Sequence, residues 1–223
     1  MRTKFLLIAL TIFTLVSFKA DKPKRIVFFG DSITQAGVGP NGYITQIGKM
    51  LQEKGLADQY ELIGAGIGGN KVYDLYLRHE EDVLAKNPDI IIIYVGINDV
   101  WHKTTSRTGT DYDKFERFYH ALIKRLRANG AKIIICTPSV IGEKTDNTNE
   151  NDGDLNYFST MIRRIANEDG TGLIDLRYEF MKYLKVNNPN NDSKGVLTTD
   201  RVHLNETGNK FVAETMWNII KTY

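Results

Sequence analysis

Asp89-Ile90-Ile91-Ile92-Ile93-Tyr94-Val95 decides how this chain folds. From Ile90 to Val95 no polar residue interrupts the run, and most of the side chains are β-branched or aromatic. An amphipathic strand would alternate. An unbroken apolar run of this length, ended by Gly96, reads as a strand buried on both faces, the signature of a central strand in a parallel sheet.

Working outward, strands and helices alternate. Arg25-Ile26-Val27-Phe28-Phe29, ended by Gly30, and Tyr60-Glu61-Leu62-Ile63, ended by Gly64, read as strands before it. Ala131 to Cys136 and Gly172-Leu173-Ile174-Asp175 read as strands after it. Helical spacing fills the gaps at Tyr43–Leu51, Val72–Leu84, Tyr112–Ala128 and Leu155–Ala166, and Glu206–Lys221 closes the chain. The expectation is an α/β fold, a three-layer α/β/α sandwich in one domain over 21–223. Its five-stranded parallel sheet is flavodoxin-like, with order 2-1-3-4-5. Ligands bind such sheets beyond the carboxyl ends of the strands.

Four short segments then gather at that edge. Gly30-Asp31-Ser32-Ile33-Thr34 follows the first strand, Gly66-Ile67-Gly68-Gly69-Asn70 the second, and Gly96-Ile97-Asn98-Asp99 the third; Asp200-Arg201-Val202-His203 precedes the last helix. A serine hydroxyl becomes a nucleophile only when a base takes its proton, and an imidazole held by a carboxylate is such a base. Ser32 is therefore the candidate nucleophile, His203 the base and Asp200 its orienter. Taken singly, Ser32 could be a helix N-cap and His203 a loop residue. The Asn98 amide and the backbone N–H groups of Gly69 and Ser32 are candidate donors to the oxyanion of a tetrahedral intermediate. The reaction class expected is acyl transfer from an ester to water. Thr34 stands where the Gly-x-Ser-x-Gly elbow has glycine, so the α/β-hydrolase arrangement is excluded.

Several other readings fail. Gly64-Ala65-Gly66-Ile67-Gly68-Gly69 contains G-x-G-x-x-G, but the next strand ends in Tyr94-Val95 and offers no acidic residue for a ribose. The histidines at 79, 102, 120 and 203 lack metal-ligand spacing, so neither cofactor nor metal is expected. The chain's 223 residues carry a net charge of only +2, and no basic stripe argues for nucleic acid. Its single cysteine, Cys136, reads as a buried strand residue. Arg2 and Lys4 precede an apolar run from Phe5 to Phe18, the shape of a signal peptide over 1–20, with cleavage after Ala20 and export to the periplasm or medium. Cleavage would take the net charge from +2 to −1 and leave no membrane span; the alternative is an uncleaved tether. Polar stretches 142–154 and 187–195 read as solvated loops or as a rim to the cleft.

The four segments resemble the blocks that name the SGNH (GDSL-type) hydrolases, in order and from about Arg25 to the C-terminus. That resemblance implies the same fold and places Ser32, Gly69, Asn98, Asp200 and His203 in the roles above. The second block matches most loosely, so Gly66 and Gly68 compete with Gly69. The family spans carbohydrate acetylesterases, small-ester esterases, lysophospholipases and thioesterases. The expectation is a serine esterase for short, acetyl-type esters on a small molecule or glycan. The alternatives are a lysophospholipase or thioesterase for longer acyl chains, and a glycan-binding module without turnover.

Overall fold

The computed structural model describes residues 22–223; the leader read at 1–20 lies outside them. Five parallel strands form one sheet: β1 Lys24–Gly30, β2 Tyr60–Gly66, β3 Ile90–Tyr94, β4 Lys132–Cys136 and β5 Gly172–Ile174, in the order β2-β1-β3-β4-β5. This is the expected order. Every residue of β3 is buried, and in β4 only Lys132 is exposed. Each such isoleucine contributes roughly 1.5–3 kcal/mol on leaving water. Burial pushes the Cys136 thiol well above its ordinary range, as suits a packing residue.

Helices cover both faces. α3 (Val72–Asp82), α5 (Tyr112–Leu126) and α6 (Asp152–Glu168) pack side by side on one. α2 (Tyr43–Glu53) and α8 (Glu206–Ile220) pair on the other, with α7 (Leu176–Asn187) joined to α8 through Phe180, Tyr183 and Phe211. Short α1 (Ser32–Gly37) and α4 (Ile97–Thr105) follow β1 and β3. The register sets one row of partners across the carboxyl edge: Gly66, Gly30, Tyr94, Cys136 and Ile174. Ser32, Gly69 and Asn98 lie two to four residues beyond it.

Three helices and part of a strand escape the sequence patterns. α7 carries Leu176, Phe180 and Leu184 at four-residue spacing, a stripe flanked by too much charge to stand out. α1 and α4 are too short for periodicity. β2 runs on through Gly64 to Gly66 because α1 crosses it closely. A Cβ at Gly64 would lie 2.3 Å from Val38 Cγ1, and one at Gly66 2.1 Å from the Gln35 amide nitrogen. Glycines that mimic the dinucleotide fingerprint are thus there to admit a helix.

The polar stretch 142–154 is not simply a solvated loop. Glu143, Asn149, Asn151 and Asp152 are buried in it, and α6 begins at Asp152. Arg177 reaches Asp152 at 2.7 Å and Asn156 at 2.9 Å, closing a buried network with Asn149. In the second polar stretch, Asn188 is buried and donates to the Glu143 and Asp192 carbonyls.

Candidate active site

Asp31, not Ser32, caps α1: its Oδ1 accepts the Ile33 N–H at 3.0 Å. Ser32 is left as the first helical residue, half-buried, with its own N–H pointing out of the helix start. Its Oγ lies 2.9 Å from His203 Nε2, and His203 Nδ1 lies 2.7 Å from Asp200 Oδ2. The two segments, 171 residues apart in sequence, meet as one chain of hydrogen bonds.

Asp200 divides its work between its oxygens. Oδ1 accepts the backbone N–H groups of Val202 at 3.1 Å and His203 at 2.8 Å, which folds the turn. Oδ2 holds the ring. Partial burial would raise the Asp200 carboxyl; the hydrogen bonds from His203 and the two backbone N–H groups outweigh it and hold the carboxyl below its ordinary value. An ionised Oδ2 calls for a proton on Nδ1, which leaves the Nε2 lone pair facing Ser32 Oγ–H. Arg201, between them, has φ +88, a left-handed conformation rarely adopted outside glycine. Gly142 N–H donates to its carbonyl at 2.8 Å.

The candidate donors come from the starts of α1 and α4 and from the loop after β2. Gly69 has φ +76 and its N–H donates to no described residue. Gly68 N–H is engaged by Gln35 Oε1 at 2.8 Å, and Gly66 is the last residue of β2. Of the three glycines in the second segment, Gly69 is the one with a turn conformation and an uncommitted N–H. Asn98 is buried in the first turn of α4; its Nδ2 donates to the Asn70 carbonyl at 3.1 Å, which fixes the amide and leaves a second N–H.

Arg78 was not singled out by sequence pattern, yet it ties these loops together. Its Nη2 donates to the Gly30 carbonyl at 2.8 Å and the Ala65 carbonyl at 3.0 Å, and its Nε to Asn70 Oδ1 at 2.7 Å. A lone arginine in a charged helix gives no signal of this. Asp99, beside Asn98, is wholly buried; Oδ1 accepts from Val72 N–H and Thr110 Oγ1–H, and Oδ2 has no partner among the described residues. Burial pushes the carboxyls of Asp31 and Asp99 up to about 7.

Elsewhere, Glu116, His120 and Glu168 lie close enough to share a metal ion. Arg164 already bonds Glu116, and Asp169 takes His120 Nδ1 at 2.8 Å, so the group reads as a surface ion-pair network. No helix among the described residues is long and apolar enough to cross a membrane.

A candidate nucleophile hydrogen-bonded to a base with its carboxylate, beside candidate oxyanion donors, is an arrangement that can perform ester hydrolysis without a metal. A family profile described as the GDSL-like Lipase/Acylhydrolase family matches residues 28–211. The chain belongs to that family. As a member it is a carboxylic-ester hydrolase. A curated relative, acetylxylan esterase of Geobacillus stearothermophilus, is 28% identical over 211 residues, covering 87% of this chain and 93% of its own. A crystal structure of the acetyl xylan esterase AlAXEase superposes with a TM-score of 0.86 at 58% identity, over 87% of this chain and 98% of that one. The Geobacillus esterase Axe2 superposes at 0.78 with 26% identity, over 88% and 94%. Axe2 variants in which a serine, an aspartate or a histidine is replaced by alanine are described as catalytic mutants.

Proposed function

We propose that this esterase removes acetyl groups from carbohydrate, with acetylated xylan and its oligosaccharides as the substrate class. The observation that carries the chemistry is the unbroken chain Ser32 Oγ, His203 Nε2, His203 Nδ1, Asp200 Oδ2, with spacings of 2.9 and 2.7 Å. Likeness to acetylxylan esterases over nearly the whole described chain supports the acyl group and the sugar.

Ser32 attacks the acetyl carbonyl while His203 Nε2 takes its proton. The tetrahedral oxyanion receives the Ser32 and Gly69 N–H groups and the free N–H of Asn98. His203 then protonates the leaving sugar oxygen, and the acetyl-enzyme forms. Water enters, gives its proton to His203 and releases acetate, and the proton returns to Ser32. Asp200 stays ionised and holds the imidazolium. Export through the leader at 1–20 is part of the proposal and fits a polysaccharide substrate. A mature chain beginning at Asp21 in the periplasm or medium supports it; a full-length membrane-bound chain favours the tether.

Hydrolysis of p-nitrophenyl esters from acetate to palmitate, beside Ser32→Ala, tests the core of the reading. Acetate should be strongly preferred, and Ser32→Ala should be folded and nearly inactive. Undiminished turnover in that variant would overturn the assignment of Ser32, and preference for long chains would overturn the acetyl reading in favour of a lipid or thioester substrate.

A further inference from the structure

Asn98 is followed at three and four residues by Trp101 and His102, so all three project from the same side of α4. An oxyanion donor therefore has two rings beside it on one helix face. Both rings are half-buried rather than enclosed. The Trp101 ring stands edge-on to His203, with centroids 6.5 Å apart at 67°, and is the aromatic ring paired with His203 among the described residues. His102 is its neighbour, with ring centroids 6.2 Å apart and planes tilted by 36°. Its Cε1 is 3.8 Å from where a Cβ on Gly69 would stand. The Trp101 indole N–H and both His102 ring nitrogens bond to no described residue and remain open to solvent.

We infer that Trp101 and His102 form the subsite for the sugar that departs as the alcohol. The inference rests on the deacetylase reading above and deepens it. Its chemical basis is the direction of proton transfer. His203 Nε2 must deliver a proton to the leaving oxygen, so the alcohol half of the ester lies on the His203 side of Ser32 and the acyl half away from it. Trp101 is the ring on that side. A half-exposed indole offers an apolar face for the C–H surface of a pyranose and a free N–H for one of its hydroxyls. His102 supplies the complementary polar group. Burial, then the charge of Lys71, lowers its basicity. A neutral imidazole both donates and accepts, as neighbouring sugar hydroxyls require.

The competing role for Trp101 is to brace the His203 ring, and kinetics on two acetates separate the two. The substrates are acetylated xylotriose and ethyl acetate, whose alcohol is too small to span to the indole. With Trp101→Ala, kcat/KM on the oligosaccharide should fall at least tenfold further than on ethyl acetate, mainly through KM. Trp101→Phe should recover part of the difference, and His102→Ala should show the same pattern more weakly. An equal fall in kcat on both substrates would assign Trp101 to bracing and overturn the subsite, as would no change on either. If the parent chain cleaves ethyl acetate but no acetylated sugar, the deacetylase reading itself fails, and the subsite with it.

A binding measurement keeps the inference testable if the alanine variant does not fold. The chain has two tryptophans, and Trp217 is almost fully buried. In a Ser32→Ala, Trp217→Phe chain, Trp101 is the sole indole. Its fluorescence should change saturably with acetylated xylotriose and not with ethyl acetate. A signal indifferent to the sugar, at concentrations that saturate turnover in the parent chain, would overturn the subsite.

Discussion

Glu143 receives the Leu197 backbone N–H at 2.7 Å, a bond between residues 54 apart that lies wholly inside the fold. The same carboxylate accepts from Val196 and Thr198. Those residues open a hairpin in which Thr198 pairs with Leu204 and Asn205 N–H returns to the Leu197 carbonyl. Asp200 to His203 is its tip. One buried side chain thus anchors the base of the turn that carries two of the candidate catalytic groups.

Glu143→Ala would leave three N–H groups without their acceptor, at about 1–3 kcal/mol each. A loss of about 3 kcal/mol or more is expected, which is at least roughly 6 °C in Tm for a chain of this size. Glu143→Gln, which keeps one acceptor oxygen, should lose less. Thermal unfolding of the three proteins checks this. An alanine variant as stable as the parent would show that the hairpin does not depend on Glu143.

Gly66 and Gly69 are three residues apart and should respond to a methyl group in opposite ways. At Gly69 the nearest atom to a new Cβ is His102 Cε1 at 3.8 Å, so there is room; the cost is the φ of +76, about 1–2 kcal/mol for an L-residue. Gly69→Ala should fold and lose kcat as its N–H shifts. At Gly66 the Cβ would meet the Gln35 amide nitrogen at 2.1 Å, so α1 and Ser32 with it must move. Gly66→Ala should yield little folded protein. Asn98→Ala, by contrast, should fold and lose about 10²–10³ in kcat, the usual effect of one oxyanion donor. Soluble yield, Tm and kcat of the three variants distinguish these outcomes; a fully active Asn98→Ala would remove Asn98 from the oxyanion site.

What the sequence made legible follows from which forces are local. Ile90 to Val95 announces a buried strand because burial on both faces is written residue by residue. The four site segments were legible because their chemistry demands particular side chains at fixed short spacings. Arg78 and Glu143 were not. Each acts by reaching backbone groups of distant segments, and a backbone carbonyl or N–H leaves no mark in the sequence. Trp101 and His102 fall between these cases. Their three- and four-residue spacing from Asn98 was visible, but it has meaning only once Ile97–Thr105 is known to be helical, and that helix is too short to show itself. The extension of β2 through Gly64 and Gly66 was hidden because the crossing helix that requires glycine there is itself short.

Asp99 predicts a pH effect of definite sign. Its carboxyl is pushed up to about 7 in the fold, against about 3.9 in an unfolded chain. Between those values the folded state holds the extra proton, so the carboxyl's contribution to stability falls as pH rises from about 4 to 7, then levels off. Asp31 acts with the same sign, while the depressed Asp200 contributes above the ordinary carboxylate range and is lost only as pH falls below it. Asp99→Asn keeps an acceptor for Val72 and Thr110 and removes the charge. Its Tm relative to the parent should therefore rise between pH 5 and 7 and level off towards pH 8. A difference that stays constant over that range would show that Asp99 does not ionise within it.

Asp200→Asn separates the two jobs of that side chain. With its oxygen retained toward the N–H groups of Val202 and His203, the turn persists, and the amide nitrogen faces His203 Nδ1. Two donors cannot share that position. Nδ1 must then carry the lone pair and Nε2 the proton, so His203 presents a hydrogen to Ser32 Oγ instead of accepting one. The expected result is a fall in kcat of order 10³–10⁴ with Tm close to that of the parent. Asp200→Ala, which also loses the acceptor that folds the turn, should fall at least as far in kcat and clearly further in Tm. Steady-state kinetics beside thermal unfolding checks both. If the asparagine variant kept most of the parent kcat, the carboxylate would be structural and the ring would owe its orientation to other contacts, of which its edge-on packing against Trp101 is the first to examine.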